Sequence, residues 1–248
     1  MKKYLYVILA LLFFTLTWHG LSLLVQRPIL PGPITAIEAL IRLALSGRLY
    51  SHLGASLSRI FWALLTSAIP AAALGLAAGR SPRINSFVAP VVYILHPLPK
   101  AAFLPVIMLF FGIGEAAKVF LVGFIIFSQV LVTMRDAAKQ VPVELLDSVR
   151  SLGAGRGALF LHVVIPAVIP GLFTALRISL GTAVAVLFLA ETFASQSGLG
   201  FLIMDAWTRI SYPEMYAAIM ALSLLGLLLF VLIDVFEFLL CPWLEDRN

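Results

Sequence analysis

Charged residues are scarce: Asp, Glu, Lys and Arg make up 12% of 248 residues, against 62% hydrophobic ones. No soluble domain of that length buries so much apolar material, so the composition is that of an integral membrane protein. Cysteine is limited to Cys241, which excludes an internal disulfide and a cysteine-ligated metal site. His19, His52 and His162 have no partner at metal-ligand spacing. A Gly-x-x-x-x-Gly-Lys-Ser/Thr phosphate loop, a Gly-x-Ser-x-Gly elbow and a His-Glu-x-x-His helix are all missing. Nothing in the chain therefore points to binding ATP, to a cofactor or to catalysis. The formal charge of +5 is dispersed between apolar segments, which gives no case for nucleic acid as a partner.

What is abundant is long apolar runs, at about 4–25, 60–78, 87–111, 119–134, 167–190 and 216–240. A hydrocarbon core of roughly 30 Å needs about 20 helical residues, and none of the runs alternates as a barrel strand would. The expected fold is all-α, a polytopic membrane protein with about six transmembrane helices in a single domain over 1–248. The first run is too long for the apolar core of a signal peptide and lacks a small-x-small cleavage site, so it is expected to stay as a membrane helix.

Basic residues set the expected orientation. With the N-terminus inside, Lys2, Lys3, Arg80, Arg83, Arg135, Lys139, Arg150, Arg156 and Arg247 face the cytoplasm; Arg27, Arg42, Arg48, Arg59, Lys118 and Arg209 lie outside or near that interface. Both termini are then cytoplasmic. Arg27 to Pro33 is a breaker cluster. Ile34 to Leu45 carries Ile37, Leu40, Ile41 and Ala44 opposite Glu38 and Arg42, the pattern of a helix lying along the outer surface. Arg59 is expected to snorkel.

Three places concentrate polar chemistry. The third run is interrupted by Pro97, Pro99 and Pro105, and a helix so broken must be buried in protein or line a wet cavity. His96 and Lys100 sit at this break, Arg177 lies inside the fifth run and Glu191 at its far end, too distant to pair. These four are the candidate translocation-pathway residues. Asp234 and Glu237, three apart, read as solvated carboxylates at an interface, and Asp205 and Arg209 as a helical ion pair. The third place is the polar, Gly-punctuated insert at about 136–166. There Pro142 opens and Gly153 follows a short helix, with Glu144, Asp147, Ser148 and Ser151 on one face and Leu145, Val149 and Leu152 on another, expected buried, face.

This insert resembles the cytoplasmic coupling loop of ATP-binding-cassette (ABC) importer permeases. Asp147-Ser148-Val149 stands where that family carries Glu-Ala-Ala, Gly153 follows at the family spacing, and Val163-Val164-Ile165-Pro166 stands for Ile-x-Leu-Pro. The Pro-x-x-Ala-x-x-Pro stretch ending at Pro105, Phe111-Gly112-Ile113-Gly114-Glu115 with Lys118, and Glu191 followed by Gly198-Leu199-Gly200 are similar to the nitrate, sulfonate, taurine and bicarbonate type. The resemblance covers nearly the whole chain and implies the type I importer fold. It also implies two copies forming a pore in the bacterial inner membrane, two ATPase subunits that bind ATP and Mg, and an extracytoplasmic solute-binding protein. The ATPase-coupling residues it implies are Glu144, Asp147, Ser148, Val149, Arg150, Gly153, Ala154 and Pro166. The solute it implies is a small anion such as nitrate, a sulfonate or taurine, with a thiamine precursor or a flavin as the alternative; a secondary transporter or channel would instead show an intramembrane ion relay or an inverted repeat.

Overall fold

The computed structural model describes the backbone of residues 2–193 and 195–247, and the side chains of Tyr6 and of 9–193 and 195–244. The orientation reading at Lys2, Lys3, Arg247 and the two termini lies outside the described side chains. The helices, in order, are α1 (Lys2–Val25), α2 (Pro33–Leu45), α3 (Arg48–Arg80), α4 (Pro82–Leu95), α5 (Leu104–Phe111), α6 (Glu115–Lys139), α7 (Val143–Ser151), α8 (Arg156–Leu159), α9 (Ile165–Thr192), α10 (Leu199–Thr208) and α11 (Tyr212–Leu240). A 3-10 turn, Lys100–Phe103, precedes α5, and a π segment, Phe160–Val164, joins α8 to α9.

Four described helices are long and apolar enough to cross a bilayer: Arg48–Arg80, Glu115–Lys139, Arg156–Thr192 and Tyr212–Leu240. Of the other two expected runs, the first lies in α1, whose stretch Leu9–Val25 is a shorter apolar helix. The other is the pair Pro82–Leu95 and Lys100–Phe111, bent by 85°. The bend falls at Pro97 and Pro99, as the missing backbone donors require. Pro105 does not make a second break: it sits in the first turn of α5, where its N–H is not needed.

The backbone packs as two compact units, one of Met1–Ser56 with Glu191–Leu225, the other of Leu57–Ala190 with Gly226–Asn248. In the larger unit α3 and α6 run parallel in close contact. A Cβ on Gly75 would stand 2.6 Å from the Leu131 carbonyl oxygen, and one on Gly79 would stand 2.5 Å from the Arg135 carbonyl oxygen. Two glycines four apart thus let the helix backbones meet, the small-residue packing that membrane helices favour. Further up, Arg59 meets Glu115, so residue numbers rise together along both helices. Parallel neighbours can be joined only if the chain between them returns across the membrane. The bent α4–α5 pair is therefore a broken span and not a re-entrant loop. Contacts of α9 with α6 run the other way: Ala137 faces Gly171, and Gln129 donates to Thr182 at 3.2 Å. A buried cluster of Leu104, Ile107, Leu121, Ile125, Val186 and Ala190 closes that end of the unit.

The smaller unit holds α1, α2, α10 and the first turns of α3 and α11. α2 buries Ala36, Ala39 and Leu43, while Ile34, Ile37, Ile41 and Leu45 stay exposed. Of the expected apolar stripe, Ile37 and Ile41 thus lie on the outer face, suited to lipid, and Leu40 and Ala44 are half-buried, while Ala36, Ala39 and Leu43 make the inner face. The Trp18 indole donates to the Pro31 carbonyl at 3.0 Å and its ring stacks on Tyr216.

Candidate functional site

α7 is brief because Pro142, its N-cap, cannot continue a helix backwards and Gly153 ends it forwards. Gly153 has φ +85°, and its N–H donates to the Arg150 carbonyl at 3.0 Å, the αL ending that glycine adopts without a Cβ penalty. Leu146 is buried and Val149 half-buried, whereas Leu145 and Leu152 are exposed, Leu152 at 85%. This corrects the expected stripe: residues three apart anchor the helix, and Val143, Leu145 and Leu152 present apolar surface beside the polar face. On that face Arg150 pairs with Asp147 at 3.0 Å, and the Ser148 and Ser151 hydroxyls donate to the Glu144 and Ser148 carbonyls. Glu144, Asp147, Ser148 and Arg150 are exposed, and Ala154 is half-buried.

The second half of the insert is not a loop. From Arg156 the chain is one helix through Thr192, 37 residues long. Pro166 lies just after its π segment, where the wider turn accommodates the missing N–H. α8 thus joins a membrane-crossing helix directly.

The four pathway candidates fall into three places. His96 and Lys100 come together at the α4 elbow, where the Lys100 ammonium donates to the His96 carbonyl at 3.3 Å and satisfies a helix-end acceptor. His96 also borders an apolar cavity of about 270 Å³ with Leu74, Val92 and Leu131. Arg177 is clamped by both α11 carboxylates: Nη1 donates to Asp234 at 2.8 Å and to Glu237, and Nη2 reaches Glu237 at 3.2 Å. Asp234 and Glu237 are therefore ion-pair partners and not merely solvated. Glu191, in the smaller unit, is fully buried; it accepts from the Ser56 hydroxyl at 2.8 Å and from the Gly200 N–H at 2.7 Å. Ser56 Oγ accepts in turn from the Leu199 N–H, and His52 Nδ1 from the Gly198 N–H. A carboxylate and a hydroxyl thus hold the α10 N-terminus, where free N–H groups and the helix dipole favour an acceptor.

The sequence reading missed a further cluster. Arg59 does not snorkel: it is buried and bonds Glu115 at 2.5 and 2.7 Å, with Lys118, also buried, 3.5 Å from the same carboxylate. Burial of these cations among other helices removes the water they would otherwise reach for, and the carboxylate replaces it. The Phe-Gly-x-Gly-Glu stretch marked one partner; nothing local marked Arg59 as the other.

The chain is 32% identical over 235 residues to the taurine transport system permease protein TauC of Escherichia coli (strain K12), covering 92% of this chain and 86% of that protein. It is 30% identical over 219 residues to the "Putative aliphatic sulfonates transport permease protein SsuC" of Bacillus subtilis (strain 168), covering 88% and 79%. In fold it is similar to a chain of the MetNI methionine ABC transporter in an inward-facing conformation, at TM-score 0.58 and 17% identity, over 82% of this chain and 97% of that one. The family described as "Binding-protein-dependent transport system inner membrane component" matches residues 71–246. With its parallel α3–α6 pair, its broken span and its exposed α7 between membrane helices, the chain belongs to this family of ABC importer permeases.

Proposed function

We propose that this permease imports a small sulfonate of the taurine kind, in the inner membrane with both termini cytoplasmic. Two copies form the pathway, a binding protein supplies solute outside, and two ATPase subunits bind ATP and Mg inside. The observation that carries the substrate class is the identity to a taurine permease over 92% of the chain. The polar face of α7 and the exposed Leu145 and Leu152 form the ATPase contact, with Gly153 setting the angle at which the helix is presented and Ala154 and Pro166 leading on to α8 and α9. Movement of α7 on ATP binding passes into the helix Arg156–Thr192 and, through the Arg177 clamp, into α11. The elbow at His96 and Lys100 lines the solute route, because non-helical backbone at membrane depth is tolerated only beside protein or water; Arg177 and Glu191 hold the helices that frame it.

The test is solute-dependent ATP hydrolysis by the complete complex in proteoliposomes. Taurine and short alkyl sulfonates are expected to stimulate it. Stimulation by a pyrimidine thiamine precursor or a flavin, with none by sulfonates, would overturn the substrate assignment.

A further inference from the structure

The turn after α10 carries a feature that no role given above uses. The Ile210 N–H donates to the Trp207 carbonyl at 3.0 Å and the Ser211 N–H to the Ala206 carbonyl at 2.9 Å, a complete Schellman ending. Its left-handed position, normally glycine, is Ile210 at φ +58°. A β-branched residue there is a genuine outlier, and its side chain is 70% exposed, so packing within the chain does not reward it. Trp207, 55% exposed, stands beside it. Around the pair is a lattice of alternating charge: Arg209 bonds Asp205 and Glu214, each at 2.8 Å, and Arg48 lies 3.9 and 3.8 Å from the same two carboxylates.

We propose that Ile210 and Trp207 are the apolar centre, and Arg48, Asp205, Arg209 and Glu214 the rim, of the surface on which the extracytoplasmic binding protein docks. The proposal rests on the import reading above. Along the chain one candidate crossing, Arg156–Thr192, lies between α7 and this turn, and the import reading, which puts α7 inside, assigns the turn to the outside, where a binding protein meets the permease. A large apolar centre inside a polar rim is the anatomy of a protein contact. A bilayer is the poorer fit, because two carboxylates and two guanidiniums cancel and offer anionic headgroups no net attraction. Strain kept at a solvent-exposed position points to function and not to stability.

Ile210→Gly separates the two, since glycine keeps the turn and deletes only the side chain. The variant is expected to give a folded complex at wild-type yield, while radiolabelled taurine uptake at limiting solute falls about tenfold, the loss of one strong interface contact. Wild-type uptake in Ile210→Gly cells overturns the proposal. A photo-crosslinking amino acid at position 210, used in intact cells, is expected to give an adduct identified by mass spectrometry as a soluble solute-binding protein and lost on Arg48→Glu. An adduct with lipid, with a second copy of the chain, with an unrelated protein or with nothing overturns it. Should wild-type cells take up no taurine, the substrate reading fails, and the crosslink, which needs no solute, still decides the docking surface.

Discussion

α7 and α10 end in the same way and with opposite residues. Both close with an N–H bonded back to a carbonyl three residues earlier, Gly153 to Arg150 and Ile210 to Trp207, and both put the donor residue at positive φ. At α7 glycine takes that conformation freely, and nothing stands within 4 Å of where its Cβ would be. At α10 the same geometry is forced on isoleucine and held by the second Schellman bond and by the Arg209 bridge between Asp205 and Glu214. The first ending rests on glycine's own preference; the second is held by bonds within residues 205–214, to which Arg48 adds a contact from a distant part of the chain.

Substitutions that exchange the two solutions should have unequal effects. The largest is expected from Gly153→Val, which places a β-branched residue at φ +85° with no surrounding clamp, at a cost of about 1–2 kcal/mol concentrated in one exposed turn. Membrane insertion, driven by the apolar spans, should persist, while ATPase retention or solute-stimulated hydrolysis is lost in reconstituted complexes. Normal values for both would remove α7 from the coupling role.

Next in size is a contrast in thiol reactivity. Cys241 is buried, and burial together with the Glu237 charge pushes its thiol above the usual range. A raised pKa leaves less thiolate at a given pH, so labelling should be slow near neutrality and quicken as pH rises. A cysteine at Leu152, 85% exposed beside Gly153, should react faster at pH 7, since it stands in water and neither burial nor a neighbouring carboxylate suppresses its thiolate. Equal rates would mean that α7 is covered or that Cys241 is accessible.

A smaller effect of the opposite sign is expected for Ile210→Gly. Relief of left-handed strain is offset in part by the greater freedom of glycine in the unfolded chain, so stability should rise by about 1 kcal/mol or less. Thermal unfolding in detergent reads this, and a fall would mean that Ile210 packs against something that stabilises the fold. Arg209→Ala should change stability least, by about 0.2–1 kcal/mol, because its partners are partly exposed and screened. A larger loss would show that the charge lattice is what keeps Ile210 in place.

The legibility of each element follows from the range of the forces that form it. The helix at 143–151 could be read because a proline, a short polar stretch and a glycine follow one another within about three helical turns. The elbow was legible for the same reason, since Pro97 and Pro99 lack donors whatever surrounds them. Leu145 and Leu152 were misassigned to a buried face because the neighbour against which α7 rests, and hence the choice of Leu146, is not encoded within α7. Ile210 gave no warning, as its residue type argues against the conformation it adopts.

The amino-acid sequence alone determined that this is a membrane protein, which runs are apolar, and where a short polar helix interrupts them, because transfer of apolar side chains and the donor chemistry of proline are properties of short segments. Only the tertiary structure decided which charges meet. Arg59 with Glu115, Arg177 with Asp234 and Glu237, and Glu191 with Ser56 are joined across 56 to 135 residues of sequence. In a low-dielectric interior each such group must find a partner, and the parallel or antiparallel packing of whole helices settles which one is within reach.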